Sequence, residues 1–512
     1  MSLSGVSVST FTIAILAGSV AIFASVLLYL SGKPALSKNA PTLTTEAWPV
    51  IGSLQFFTKR WDFMQRSMAK SETGNFTFYA GQHQVVGITG EEARKVFLES
   101  KQLDLSEGYA ALLGGSPGAE VKKDDGPFAE AVSGSSDFSA YFRQRLVNML
   151  KGNQLKTGLP RLLQDARASL DKLVADTSGV TDPFDSIYRL VFQFTMRTVA
   201  CNEIADDAPL LERTLELYEA IESAGTPWAV MYPWLPLPSK AKRAYAGAQL
   251  YMIFKRVVDA RNQEGRREDD ALQYLMDQGD NIKDIITFVL GALFAGQLNS
   301  GINAAWILIY LASKPHWLEQ VREEVAKVAS RYCADDSMSL KDRLMHVPIQ
   351  AWEAEFPLVD LCLKDSIRLQ SSGSAFRRNI SGHPVPLNKA GTEVVPANAY
   401  VAFPLGVLHY NPEIYESPDE WDPSRYMPGK EEHKKAEYGF LGWGAARHPC
   451  LGMRFAKLEN TIIVAFFVAY FDEIKLSDAQ GNETTRIPRT NRNTLTALKP
   501  TEKVYLKYNA AS

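Results

Sequence analysis

The stretch that decides the fold is Trp443-Gly444-Ala445-Ala446-Arg447-His448-Pro449-Cys450-Leu451-Gly452, near the end of a chain of 512 residues. Its glycine and alanine residues let the backbone approach a flat ligand closely. Cys450 ends this loop directly before an apolar segment, 452–472, that is predicted to be helical. Amide groups at a helix N-terminus stabilise a negative charge on sulfur. An iron-bound thiolate requires this environment, whereas a cysteine taken alone is more often a buried structural residue.

The composition of the chain is that of a large globular protein. Hydrophobic residues make up 46% of the chain and charged residues 22%, and the formal net charge is −3. These values exclude a disordered chain and argue against a nucleic-acid partner. The four cysteines, Cys201, Cys333, Cys362 and Cys450, are widely spaced, which indicates a reducing compartment and not a disulfide framework.

The N-terminal segment predicts a membrane anchor over residues 1–32. Residues 11–30 read FTIAILAGSVAIFASVLLYL, and twenty such residues at ~1.5 Å rise cover the ~30 Å core of a bilayer. A cleaved signal peptide is the alternative, but it would have a shorter apolar region and a positive start. The first charges, Lys33 and Lys38, follow the span. The positive-inside rule therefore predicts a single-pass protein whose catalytic part is cytosolic.

The remaining chain divides into a linker, 33–53, rich in proline, and a catalytic domain, 54–512. Residues 104–137 are rich in glycine and serine and are predicted to form a long loop. Residues 226–239 contain four prolines and two tryptophans, so we expect no regular helix there but a lid or membrane contact.

Helical periodicity dominates residues 138–345, and residues 282–313 form one unusually long apolar segment. A second membrane span would explain that length. However, polar residues such as Gln297, Asn299 and Asn303 lie at its centre, where lipid penalises them. We therefore predict a buried central helix. Residues 77–90 and 374–405 show short strand patterns, so the fold class is mainly α with small β-sheets.

The loop around Cys450 resembles the cysteine-ligand loop of the cytochrome P450 family, and the resemblance covers nearly the whole chain. Asp365 and Arg368 stand where the family has its Glu-x-x-Arg pair, and Arg425 lies in WDPSRY, which resembles the segment that completes a buried ion network. An acid and a guanidinium three residues apart on a helix can pair, and buried charges must be paired. A surface i,i+3 pair is the alternative. The resemblance implies a single large domain preceded by a transmembrane helix.

Three departures from the family pattern are present. Asp365 replaces the usual glutamate and shortens the reach by one methylene, and Ala446 stands where glycine is usual. In the central helix, Leu298-Asn299 replaces the usual acid-alcohol pair, and neither residue can titrate. An asparagine at this place resembles the sterol-hydroxylase and prostacyclin-synthase branches, which include both monooxygenases and a redox-neutral isomerase.

The resemblance and the residue types suggest roles around the cofactor. Gly296 could leave a notch for dioxygen or substrate, and Asn299 and Ser300 could bind oxygen or a water; alternatively, they satisfy backbone carbonyls. Trp443 is expected to contact haem b. Candidates for a propionate contact are Arg377, Arg378, His448 and Arg447. The cations Arg447, Arg454 and Lys457 could receive an acidic electron donor or form a solvated face.

We therefore predict a haem-thiolate monooxygenase in the endoplasmic reticulum membrane. Electrons would come from NADPH through NADPH-cytochrome P450 reductase. The substrate would be a lipophilic terpenoid, sterol-like or alkaloid molecule of secondary metabolism. Two alternatives stay open: a haem-thiolate isomerase or dehydratase that needs no reductase, and a haem-binding membrane protein without turnover.

Overall fold

The structure is a computed structural model that describes residue 18 and residues 35–48, 51–112, 136–151, 153–232, 235–493 and 499–511. The described chain divides into two compact units. The first comprises Met1–Gly108, Pro227–Leu235 and Phe376–Phe403, and the second comprises Tyr109–Thr226, Pro236–Ala375 and Pro404–Ser512. The anchor segment predicted at residues 11–30 lies outside the described residues, apart from residue 18. The single catalytic domain from 54 to 512 stays a prediction.

Helices account for most of the described chain, as the sequence predicted. They are α1 Gln55–Thr58, α2 Arg60–Ala69, α3 Glu91–Glu99, α4 Leu105–Leu112, α5 Ser136–Lys151, α6 Gln154–Ala175, α7 Pro183–Val199, α8 Asn202–Asp206, α9 Ala208–Glu222, α10 Pro227–Met231, α11 Pro238–Glu264, α12 Ala271–Asp277, α13 Ile282–Ser313, α14 Pro315–Tyr332, α15 Leu340–Leu344, α16 Ile349–Ala354, α17 Pro357–Gln370, α18 Leu405–His409 and α19 Met453–Tyr470. Two 3-10 turns cover Pro423–Tyr426 and Glu432–Lys435.

The strands are short. They are β1 Phe76–Ala80, β2 His83–Gly87, β3 Leu103–Asp104, β4 Val180–Thr181, β5 Ser374–Asn379, β6 Val385–Pro386, β7 Val394–Val395, β8 Tyr400–Pro404, β9 Gly444–Ala445, β10 His448–Pro449, β11 Phe471–Ser477 and β12 Tyr505–Ala510. The largest sheet has the order β1-β2-β8-β5-β3 and forms the first unit. Its core is aromatic, with Phe56, Phe63 and Phe78 in mutual ring contact.

Helix α13 is the centre of the second unit. Asn281 caps its N-terminus by accepting a hydrogen bond from the Asp284 N–H at 3.0 Å, and the following Lys314-Pro315 ends it. The helix packs against α7, α17 and α19. Residues 301–311 are all buried. These contacts support a helix buried in protein, as the sequence predicted.

The length and composition of α13 do not by themselves exclude that it spans a membrane. Among the described residues, it is the one helix that is long and apolar enough to cross a bilayer. However, 59% of its most apolar window is already buried within the protein. Its polar residues Gln297, Ser300 and Asn303 are buried as well, which fits protein contacts better than lipid.

Two sequence-based predictions need correction. The loop predicted at 104–137 is wrong at its start, because α4 occupies Leu105–Leu112; residues 113–135 lie outside the described chain. The Asp104 carboxylate caps α4 by accepting a hydrogen bond from the Glu107 N–H at 2.8 Å. The sequence analysis did not recognise Asp104 as a helix cap, because the following residues are rich in glycine and serine. The proline-rich segment 226–239 also contains a short helix, α10, which begins at Pro227.

Candidate functional site

The cysteine loop is a tight hairpin. Strands β9 and β10 pair antiparallel, with Ala445 opposite His448 and Gly444 opposite Pro449. Gly444 has φ +66°, and a Cβ there would collide with the carbonyl oxygen of His448. Ala446 also has a left-handed φ of 51°, a conformation that costs an alanine more than the glycine usual at this position. The hairpin thus sets the backbone path that leads into Cys450.

Backbone groups on both sides of Cys450 act on it. Its N–H donates to the Trp443 carbonyl at 2.8 Å, which closes the loop, and its carbonyl accepts from the Met453 N–H at 3.4 Å. The surrounding protein raises the pKa of the Cys450 thiol, and the backbone N–H groups of Gly452 and Met453, at the start of α19, lower it. Coordination to a metal ion would deprotonate the thiol outright.

The surroundings of Cys450 fit haem iron. The residue is exposed, and the apolar side chains of Leu451 and Met453 beside it are exposed as well. A flat, largely apolar ligand would cover this patch. A single Cys450 thiolate would be a sufficient protein ligand for iron if a porphyrin supplied the nitrogen ligands. Among the described residues, no group of three His, Cys, Asp or Glu side chains could hold a metal ion.

A buried ion pair lies in helix α17. The Arg368 Nε donates to Asp365 Oδ1 at 2.7 Å, and both side chains are 0% exposed. The other guanidinium nitrogens of Arg368 donate to the carbonyls of His409, Pro418 and Glu420 at 2.6–2.9 Å. Burial lowers the pKa of Arg368, but the adjacent carboxylate raises it more. The pair therefore ties α17 to the segment that leads to the cysteine loop.

Arg425 joins this network less directly than the sequence predicted. Its Nε lies 3.9 Å from Asp365 Oδ2, whereas its Nη1 donates to Glu432 at 2.9 Å. The Tyr426 hydroxyl, at 2.9 Å, and the Asp422 N–H, at 2.7 Å, donate hydrogen bonds to the Asp365 carboxylate. Asp365 thus pairs mainly with Arg368, and Arg425 pairs mainly with Glu432. Glu432 lies in the charged stretch KEEHKK, which reads as solvated surface, so no sequence signal distinguished it.

His409 connects the ion network with the cysteine loop, and sequence analysis missed it. Its Nε2 accepts a hydrogen bond from the Leu441 N–H at 3.1 Å, and its ring stacks on Phe440. Burial and the nearby Arg368 guanidinium lower the pKa of His409 to about 3. The imidazole is therefore neutral and can accept this bond. A lone histidine in the stretch GVLHYNP carries no pattern that would have revealed this role.

The central helix presents a mixed surface at residues 295–300. Asn299 is exposed. Its Nδ2 donates to the Ala295 carbonyl at 3.0 Å, as expected for the alternative in which this residue satisfies a backbone carbonyl. A Cβ at Gly296 would point toward Thr195 of α7, at 4.0 Å, so this glycine lies on the side of α7. Ser300 is buried; burial raises the pKa of the Glu459 carboxyl in α19, and the Ser300 hydroxyl lowers it. The side chain of Leu298 is outside the described atoms.

The predicted propionate contacts are divided between the two units. Arg377 and Arg378 belong to the first unit. There, the Arg377 guanidinium lies 4.6 Å from the Phe97 ring centroid, and Arg378 pairs with Glu107 at 2.9 Å. His448 lies in β10 of the second unit, beside the cysteine. Their contacts with haem stay predictions.

The cationic side chains in and after the cysteine loop mostly pair with acidic side chains. Arg454 pairs with Glu353 at 2.7 Å and also donates to the Leu150 carbonyl at 2.6 Å. Lys457 pairs with Asp360 at 2.8 Å. Arg447 is exposed. The structure thus describes a charged face with both signs around the start of α19.

Comparison with known proteins gives consistent matches. A model of the cytochrome P450 family matches residues 41–507. The chain is 37% identical to the cytochrome P450 monooxygenase AacuE of Aspergillus aculeatus, over 93% of this chain and 94% of that protein. It is 36% identical to the cytochrome P450 monooxygenase nsrP of Aspergillus novofumigatus, over 89% and 88% of the two chains.

More distant proteins match over similar lengths. The sterol 14-demethylase of Arabidopsis thaliana is 25% identical, over 84% of this chain and 85% of that protein. A solved structure of a retinoic acid-bound cyanobacterial CYP120A1 superimposes with a TM-score of 0.67 at 18% identity, over 92% of this chain and 99% of the other. At that identity, the superposition establishes the fold.

Proposed function

The chain belongs to the cytochrome P450 family, and from this premise we propose that it binds haem b through the Cys450 thiolate and oxidises a lipophilic small molecule with dioxygen. Its relatives are monooxygenases, which confirms the prediction of an oxidoreductase. Haem iron with a thiolate ligand activates dioxygen and favours cleavage of the O–O bond. The observation that carries the proposal is the β9–β10 hairpin, which closes through the hydrogen bond from the Cys450 N–H to the Trp443 carbonyl and leaves Cys450 exposed directly before α19.

The residues around Cys450 have supporting tasks in this proposal. The N–H groups of Gly452 and Met453 stabilise the thiolate and moderate its electron donation. Trp443 holds the loop closed through its carbonyl. The Asp365–Arg368 pair and the His409 side chain hold the segment before the hairpin in place within the second unit. Arg377, Arg378 and His448 are proposed to contact the propionates.

We propose that electrons come from NADPH through a membrane-bound reductase, because the similar monooxygenases are fungal and therefore eukaryotic. The apolar segment 11–30 would anchor the enzyme in the endoplasmic reticulum, with residues 33–512 in the cytosol.

The proposed substrate is a terpenoid, sterol-like or alkaloid molecule of secondary metabolism. The sterol 14-demethylase, a relative that acts on a sterol, supports the sterol-like option at 25% identity. Purified enzyme should be titrated with compounds of each class, and the Soret band should be followed. A compound that displaces an iron-bound water shifts this band, whereas a panel without any shift would contradict the proposed substrate classes.

The ligand assignment is tested with Cys450→Ser. We expect this variant to lose the red-shifted Soret band of the ferrous carbonyl complex, because a serine hydroxyl does not replace a thiolate. Cys333→Ser is the matched control, since Cys333 is also free and partly exposed but lies outside the loop. A normal band in Cys450→Ser would show that another residue binds the iron.

A redox-neutral isomerase or dehydratase is the second candidate. Its support is the central helix, where the Asn299 amide is bound to the Ala295 carbonyl and offers no titrating group. Turnover with and without NADPH and reductase distinguishes the two. Product formation that is unchanged without reductant would establish the second candidate and exclude the monooxygenase reaction.

A further inference from the structure

We propose that Asn299 of α13 accepts a hydrogen bond from a hydroxyl group of the substrate, so that the enzyme prefers hydroxylated members of the proposed lipophilic classes. The proposal rests on the proposed function and adds to it a chemical group that the substrate carries. Three features of α13 support it: the place where the helix is exposed, the orientation of the Asn299 amide, and the contacts of the neighbouring polar side chains.

The middle of α13 is exposed at two residues. Of the residues 285–311 whose side chains the structure describes, Ala295 and Asn299 are the exposed ones. Residues four positions apart lie on the same face of a helix. Elsewhere the helix packs against α7, α11, α17 and α19, and residues 301–311 are buried. An opening in the middle of a helix that is otherwise enclosed by protein is a place where a small molecule can lie against it.

The Asn299 amide is held by the backbone of its own helix. Its Nδ2 donates to the Ala295 carbonyl at 3.0 Å, and the Asn299 carbonyl accepts from Asn303 Nδ2 at 2.7 Å. Rotating the Asn299 amide by half a turn would bring Oδ1 against the Ala295 carbonyl oxygen, and two acceptors do not form a hydrogen bond. The amide is therefore fixed with Nδ2 toward the carbonyl, which leaves Oδ1 as an acceptor with two lone pairs.

The other polar side chains of this stretch face protein. Gln297 is 0% exposed, and its Nε2 donates to the Tyr188 carbonyl at 2.9 Å. Ser300 and Asn303 are buried as well. Within the described part of the chain, no group donates a hydrogen bond to Asn299 Oδ1. This oxygen is therefore the polar group that the exposed part of α13 offers to a ligand.

The helix surface beside this oxygen is apolar. Ala295 presents a methyl group one turn before Asn299, and Gly296 has no side chain. One hydrogen-bonding group within an apolar surface fixes the orientation of a lipophilic ligand. A ligand with a hydroxyl group pairs with Oδ1, whereas a ligand without a donor removes water from this oxygen and leaves it unpaired, which weakens binding. The ligand that fits best is therefore a lipophilic molecule that carries a hydroxyl group.

The test uses sets of three matched compounds. Each set consists of a hydroxylated terpenoid, sterol or alkaloid that shifts the Soret band, its deoxy analogue and its O-methyl ether. Equilibrium dialysis against the purified haem-loaded full chain measures each dissociation constant without turnover. We expect the hydroxylated compound to bind about tenfold more tightly than either analogue. The deoxy analogue lacks the donor without added bulk, so a preference over both analogues excludes a steric cause.

Variants of Asn299 assign the preference to this side chain. Asn299→Leu replaces the amide by an apolar side chain of similar size and should bring the three dissociation constants within about twofold of one another. Asn299→Thr should keep most of the preference, because a threonine hydroxyl donates to the carbonyl one turn earlier and still accepts from a ligand. Asn262→Leu, at an exposed position of α11, is the control and should behave like the wild type.

Two results would overturn the proposal: a wild-type chain that binds the deoxy analogue as tightly as the hydroxylated compound, or a preference that persists in Asn299→Leu. The Asn299 amide would then bind only its own helix. The ferrous carbonyl spectrum of the same samples separates this outcome from failure of the proposed haem site. A normal spectrum without the preference refutes the role of Asn299 alone, whereas a wild type without the red-shifted band refutes Cys450 ligation and the role of Asn299 with it.

Discussion

The buried charges that tie helix α17 to the segment before the cysteine loop form two pairs. Asp365 pairs with Arg368 at 2.7 Å, and Arg425 takes Glu432 at 2.9 Å as its closer carboxylate. The Asp365 carboxylate is also satisfied by the Tyr426 hydroxyl. Burying a charge is stabilising only when its partners are complete. At the scale of single residues, Glu432 therefore gives Arg425 the carboxylate at hydrogen-bonding distance that Asp365, 3.9 Å away, does not provide.

Asp365→Ala should destabilise the protein by about 3–5 kcal/mol and lower the haem content, because it leaves the Arg368 guanidinium buried without its carboxylate. Chemical unfolding and the haem-to-protein ratio measure both effects. Asp360→Ala, in the same helix, is the control; its partner Lys457 is partly exposed, so we expect a change within about 1 kcal/mol. Equal stability of the two variants would contradict burial of the pair.

Glu432→Gln tests the Arg425–Glu432 pair of the network. The variant removes the charge that Arg425 pairs with and should cost about 2–4 kcal/mol of unfolding free energy. Its neighbour Glu431 pairs with the exposed Lys434, so Glu431→Gln should change stability by less than about 1 kcal/mol. If Glu432→Gln unfolds like the wild type, Asp365 alone balances both arginines.

At the scale of elements, the hairpin β9–β10 is governed by backbone conformation. Gly444 and Ala446 both have left-handed φ values, but only Gly444 has no room for a Cβ. The sequence therefore tolerates alanine at one position and needs glycine at the other. The adjacent helix α19 follows its sequence-based bounds closely, since its long apolar run ends at the β11 strand.

Gly444→Ala and Ala446→Gly should shift stability in different directions. Gly444→Ala forces a Cβ against the His448 carbonyl and a left-handed φ, so we expect a loss of about 2 kcal/mol or more and a weaker thiolate Soret band. Ala446→Gly relieves the left-handed strain, and its net effect should be neutral or stabilising by about 1 kcal/mol. Thermal unfolding and the ferrous carbonyl spectrum of the two variants measure these effects. Equal stability and equal spectra of Gly444→Ala and Ala446→Gly would contradict the described hairpin geometry.

At the scale of the whole molecule, two long apolar segments have to be distinguished. Segment 282–313 is a helix whose polar residues are satisfied in part by protein, as in the Gln297 bond to the Tyr188 carbonyl at 2.9 Å. Segment 11–30 lies almost wholly outside the described residues, and its role as an anchor rests on length and composition.

Deletion of residues 1–32 should move the protein from the membrane pellet to the soluble fraction after a wash with alkaline carbonate. The reason is that segment 11–30 supplies the apolar length that spans a bilayer, whereas the central helix is enclosed by protein. The ferrous carbonyl spectrum of the shortened chain serves as the folding control. A shortened chain that still resists carbonate extraction would require a second membrane attachment.

Features that depend on local periodicity and on a dense motif could be predicted from the amino-acid sequence. Cys450 in its loop, the bounds of the central helix at 282–313 and the Asp365–Arg368 pair follow from spacing within one segment. The short helix α4 was missed because its cap, Asp104, lies in a stretch otherwise rich in loop-forming residues.

Which distant side chains meet became visible only in the folded chain. Glu432 and His409 are ordinary residues in their own segments, and each gains its role from a partner 7 or 32 positions away, Arg425 for Glu432 and Leu441 for His409. Their pKa values and hydrogen bonds depend on burial, which arises from packing between helices and loops. Local sequence encodes the propensity of each segment, but desolvation and pairing of charges exist only once the segments have come together.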